Sequence, residues 1–114
     1  MPFTTGPIEN FGNLPANASN VRVKILNRTG GPLTGVVRTF RLNGTRQLIS
    51  SANFTANANA STFVTLNLGG TPFQYEVEIV PNQNGGLYSV YGRTASNVII
   101  TAQRVLHSEL TQIL

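Results

Sequence analysis

The tightest constraint on this chain is how soon each apolar run is broken. From Val21 onward, glycine, proline or asparagine interrupts the sequence roughly every 8 to 12 residues, a spacing that suits short strands and leaves little room for packed helices. The run VRVKIL puts Val21, Val23 and Ile25 on one face and Arg22 and Lys24 on the other, as a half-buried strand requires. The alternation from Phe73 to Val80 is cleaner, with Phe73, Tyr75, Val77 and Ile79 pointing one way and Gln74, Glu76 and Glu78 the other. Further strands are expected over residues 36–42, 46–50, 53–56, 61–68 and 87–91. Arg38 shares a face with Phe40, which leaves the inward face of its strand open, and Asn43-Gly44 marks a hairpin.

The last segment carries two signals. Val98, Ile99, Ile100 and Thr101 are strong β-formers, while Ala102, Val105, Leu106, Leu110, Ile113 and Leu114 also fit a helical stripe. Its strand-rich context assigns 98–106 to a strand with an extended tail. The count reaches about eight short strands, which predicts an all-β, eight-stranded, jelly-roll-like β-sandwich. One such body, 21–114, is large enough for a single core between two layers.

Residues 1–20 read differently. Pro2, Pro7 and Pro15 with Gly6 and Gly12 predict an extended arm, yet Phe3, Ile8, Phe11 and Leu14 make it too apolar for an idle tail. At roughly 3.3 Å per residue the arm spans up to about 65 Å, against a body diameter of about 30 Å, so it can reach a neighbouring copy. It can equally lie disordered or fold back over its own body. Phe3, Ile8, Phe11 and Leu14 are the candidate inter-subunit contacts. Apolar burial of these four does not offset the ordering of the backbone between them, so strand-ladder bonds or body contacts must contribute. Pro7 and Gly12 bracket Ile8 to Phe11, the longest breaker-free run before Asn13, which makes it the expected site of strand addition.

Composition narrows the chemistry. Cysteine and aspartate are absent, Lys24 is the one lysine, and the acids are Glu9, Glu76, Glu78 and Glu109, so the net charge of +4 rests on seven arginines. Copies of such a chain repel one another weakly. The arginines are spread through alternating segments and none precedes Arg22, a pattern that argues against a nucleic-acid partner. No apolar run reaches transmembrane length, and Met1-Pro2 does not open a signal peptide, so neither a membrane partner nor signal-directed export is expected. One histidine, His107, beside Ser108 makes no triad, and with no cysteine or aspartate there are too few ligands for zinc; no catalytic residue, metal or cofactor is expected. Glu76 and Glu78 read as the solvated face of a strand opposite arginines. Asn-X-Ser/Thr triplets at Asn17, Asn27, Asn43, Asn53 and Asn59 follow from composition. Tyr88 and Tyr91 lie on opposite faces of one strand, so at least one is expected at the surface, where it could stack on a sugar.

A compact β-body, an arm carrying GPIENFG, a body rich in asparagine and threonine, and a C-terminal VIITAQRVL together resemble the endospore appendage (Ena) fibre subunits of spore-forming bacteria. The likeness is one of layout over the whole chain. It implies a jelly-roll body whose flexible N-terminal connector, here Met1 to Asn20, engages a neighbouring subunit by β-sheet augmentation. The implied function is a structural subunit of a spore-surface or extracellular appendage, a helical or linear homopolymer whose partners are itself and spore-surface anchor or tip proteins. Known members carry cysteines in the connector; this chain has none, which leaves strand addition without covalent stapling. The competing expectations are a small carbohydrate- or protein-binding β-sandwich and a capsid-like jelly roll.

Overall fold

A computed structural model describes residues 2–12 and 17–113. Two antiparallel sheets pack face to face as a sandwich. The long strands are β3 (Asn20–Asn27), β4 (Leu33–Leu42), β5 (Arg46–Ala56), β6 (Ser61–Asn67), β7 (Gln74–Pro81) and β8 (Gly86–Arg93). Short ones are β1 (Phe3–Thr4), β2 (Ile8–Glu9) and β9 (Thr111–Gln112). One sheet runs β5-β4-β7-β1-β9 with β2 also on β7; the other runs β6-β3-β8.

Alternation dictates the core. Val21, Val23 and Ile25 of β3 face Val37 of β4 and Tyr75, Val77 and Ile79 of β7, and all are essentially inaccessible to water. Phe73 does not continue this row. It precedes the first paired residue of β7 and is two-thirds exposed. Opposite Thr39 and Phe40 the pairing skips Ile49 of β5, while β4 itself alternates without a break against β7. Phe40 therefore shares the outer face with Arg38, and the Arg46 guanidinium carbon, 3.5 Å from its ring centroid, covers it. Glu76 and Glu78 sit opposite arginines on this face. Arg46 Nε donates to Glu76 at 2.7 Å, and Arg38 Nη1 to Glu78 at 3.1 Å. Glu76 is nevertheless buried, between Arg46 and the Thr4 hydroxyl that donates to it.

The expected strands 46–50 and 53–56 merge into β5, and the hairpin at Asn43-Gly44 closes with Gly44 at φ 91°. The expected strand over 98–106 is not formed. Asn97 turns the chain at φ 65°, Ile100 N–H reaches Gly92 O at 2.9 Å, and Thr101–Gln103 makes a 3-10 turn. Only Val105 pairs again, with Val90 at 2.8 and 2.7 Å. A second 3-10 turn, His107–Glu109, precedes β9. Residues 98–113 thus cross from the edge of β8 in one sheet to the edge of β1 in the other, and a segment that changes sheets cannot be one continuous strand.

The arm seam as a candidate assembly site

Residues 2–12 lie against the chain's own β7. Phe3 and Thr4 pair with Ile79 and Glu78, and Ile8 and Glu9 with Tyr75 and Gln74. The break between the two short strands is local chemistry: Gly6 takes φ 67°, and Pro7 has no N–H to donate. The ladder is bridged across the break, since Thr5 N–H donates to Val77 O at 3.0 Å and Val77 N–H to Thr5 Oγ1 at 3.1 Å. Strand pairing therefore occurs on Ile8, inside the bracketed run, and also on the far side of Pro7.

The candidate contacts divide. Phe3 packs on the rings of Tyr88 and His107, with centroids 5.6 and 5.4 Å away. Ile8 is buried in the same chain's core. Phe11, 66% exposed, meets the edge of Phe73, 69% exposed, at 5.3 Å. Ile8 turns into the core, while Phe11 lies beyond the end of β2 and is open to water. Leu14 lies outside the described residues.

Asn10, which carries no sequence signal, is fully buried and makes four side-chain hydrogen bonds. Its Nδ2 donates to Ala18 O at 3.0 Å and Pro72 O at 2.8 Å, and its Oδ1 accepts from Ala18 N–H and Gln103 Nε2, each at 2.7 Å. Gln103 Oε1 in turn accepts from the Tyr75 hydroxyl at 2.5 Å. One amide thus joins the arm, the entrance to β3, the entrance to β7 and the C-terminal crossing. Burial pushes the Tyr75 hydroxyl well above its ordinary range, which keeps it a neutral donor. Gly92 lines the same knot, where an added Cβ would lie 2.2 Å from Gln103 Oε1.

No family model, curated protein or solved structure matches the chain. Ladder bonds, a buried apolar side chain and a saturated polar knot make the seam an adhesive strip. Among the described residues no group of three or more His, Cys, Asp or Glu converges. His107 is engaged in packing, and its Nδ1 accepts from Tyr88 N–H at 3.3 Å. Of the two tyrosines considered for sugar stacking, Tyr88 is buried and Tyr91 half-buried. The exposed aromatic on that sheet is Phe63, with Arg22 at 4.2 Å and Lys24 at 5.2 Å from its ring centroid.

Proposed function

We propose that this chain is the structural subunit of a self-assembling spore-surface or extracellular fibre, in which the arm of one copy occupies the β7 edge of the next. The observation that carries the reading is the arm seam. It lays residues 2–12 along β7, with β1 between β7 and β9, and every bond in it can be supplied by the same segment of another copy. Exchange of this kind replaces each intramolecular contact with an identical intermolecular one, and because donor and acceptor are different surfaces, the contact propagates. A jelly-roll-like body with an N-terminal connector, as in the appendage subunits, is the architecture this reading assigns.

The seam also sets a kinetic condition. An arm whose Asn10 knot is closed on its own body is slow to leave, so exchange is fastest while chains fold together. Refolding the full chain from denaturant at high concentration should give filaments by negative-stain microscopy, and refolding at high dilution should give monomers. A synthetic peptide of residues 1–12 in excess during refolding should shorten the filaments by capping β7. Monomers at every concentration would sink the fibre reading; filaments indifferent to the peptide would remove the arm as the joint.

A further inference from the structure

Folding gathers cations that the sequence scatters. Arg22 and Lys24 take outward positions on β3, with Thr65 and Phe63 of β6 on one side and Tyr91 and Ser89 of β8 on the other. Arg93 stands on the same face, opposite Asn20. Val105 pairs with Val90, so Arg104 falls beside Tyr91, and its exposure between buried Gln103 and half-buried Val105 turns it to the same side. Arg22, Lys24, Arg93 and Arg104 thus put half of the chain's eight cations on one face, and neither its three strands nor residues 104–106 contain an acid. The other sheet is balanced, because Glu76 and Glu78 there are matched by Arg46 and Arg38. Glu109, the next acid along the chain from Arg104, lies beyond Leu106 and accepts its N–H.

Two of the four cations are held in place. Arg22 Nε donates to Thr65 Oγ1 at 3.2 Å, with its guanidinium carbon 4.2 Å from the Phe63 ring centroid, and Arg93 Nε donates to Asn20 Oδ1 at 2.9 Å. Each bond uses the inner nitrogen, and among the described residues the two terminal nitrogens of both arginines have no hydrogen-bond partner. A guanidinium tied at Nε and open at Nη1 and Nη2 offers a two-pronged fork to a planar carboxylate. At about 3.3 Å per residue and about 4.8 Å between strands, neighbouring cations stand roughly 7 to 10 Å apart, too far for one small anion to meet them all.

We infer that this face binds a linear acidic polysaccharide, with Arg22 and Arg93 each gripping a uronate carboxylate and Lys24 and Arg104 strengthening the attraction. Charge sets the sign of the ligand and the neighbouring side chains set its class. Asn20, Thr65, Ser89 and Tyr91 surround the cations with amides and hydroxyls suited to sugar hydroxyls, while the apolar Leu26, Leu87 and Leu106 collect at the other end of the face. A single-stranded nucleic acid needs open aromatic faces on which bases stack. The exposed ring on this face, Phe63, already has Arg22 and, at 5.2 Å, Lys24 against it, and Tyr91 is half-buried. The site is complete within one chain and does not depend on the fibre reading.

Fluorescence anisotropy of a labelled oligogalacturonate titrated with the full chain tests the inference. Saturable binding that weakens with added salt is expected. Arg22→Gln/Arg93→Gln should lower affinity about tenfold or more, whereas Arg38→Gln/Arg41→Gln, the same charge change on β4 of the other sheet, should lower it less than about threefold. Arg22→Lys/Arg93→Lys keeps the charge but cannot fork, and should still lose about threefold; it also serves if the glutamine pair fails to fold by circular dichroism. No binding by the unsubstituted chain at low salt would overturn the inference. Equal losses in the two glutamine pairs, or none in the lysine pair, would reject the forked site. Tighter binding of an oligothymidylate of equal charge would reject the polysaccharide in favour of a nucleic acid.

Discussion

Replacing Asn10 with alanine tests whether the knot holds the arm. The substitution leaves Ala18 N–H and the carbonyls of Ala18 and Pro72 without this partner, and leaves Gln103 Nε2 only the long bond to Glu9 O at 3.4 Å. A buried group so abandoned costs about 1 to 3 kcal/mol. Carbonyls tolerate under-satisfaction better than N–H groups, and a water entering the polar gap recovers part of the loss. The net expectation is about 3 to 5 kcal/mol, a large fraction of the ~5 to 15 kcal/mol that holds a domain together. At about 4 to 5 °C per kcal/mol for a chain of this size, Tm should fall by roughly 12 to 25 °C. Urea unfolding followed by far-UV circular dichroism and tyrosine fluorescence measures the loss directly. Asn10→Asp keeps the shape and removes both donors, so it should be no more stable than Asn10→Ala at neutral pH. A loss below about 1 kcal/mol for the alanine variant, with the denaturant slope unchanged, would refute the reasoning.

Other perturbations have equally direct outcomes. Burial pushes Tyr88 from an ordinary value of 10.0 up to about 12; the unfolded chain releases that proton first, so stability should be intact below pH 10 and fall between 10 and 12 in thermal melts. Tyr88→Phe should make that fall shallower, the buried Tyr75 supplying the rest, and leave neutral-pH stability unchanged or higher, because the buried Tyr88 hydroxyl makes no hydrogen bond. Gly92→Ala, whose Cβ would meet Gln103 Oε1 at 2.2 Å and the Tyr75 hydroxyl at 2.8 Å, should cost at least about 1 to 3 kcal/mol by urea unfolding. Arg46→Ala, which uncovers Phe40 and leaves Glu76 with the Thr4 hydroxyl, should cost about 1 to 2 kcal/mol in the same assay, and assembly followed by light scattering should be indifferent to dithiothreitol in a chain without thiols.

The sandwich was legible wherever one face of a strand meets water. Val21 to Ile25 and Tyr75 to Ile79 alternate because their neighbours, Arg22, Lys24, Glu76 and Glu78, face outward. Legibility ended where pairing, not propensity, decides. Val98 to Thr101 have the residues of a strand, yet the edge of β8 takes only Ile99 and Val105 as bridges before the chain must cross to the other sheet. Phe73 fits the alternation but lies one residue before the ladder, where the Phe11 ring meets it and most of it stays in water. At the seam, Phe3, Ile8 and Phe11 stood out as apolar residues among breakers. Asn10 did not, because an asparagine in a proline- and glycine-rich arm reads as solvated. Its burial depends on Ala18, Pro72 and Gln103, two of them more than 60 positions away in the sequence.

Ile113 N–H donates to Pro2 O at 2.7 Å, just beyond the pairing of Phe3 with Gln112. Residues 2–4 and 111–113 therefore lie side by side, which brings the outermost described residues of the fold together. Joining them through a short linker and reopening the chain at the exposed turn 82–85 would turn the arm into an internal strand without disturbing its pairing on β7. Such a permuted chain keeps every bond of the seam and, under the proposed exchange, holds the arm to its own body from both sides.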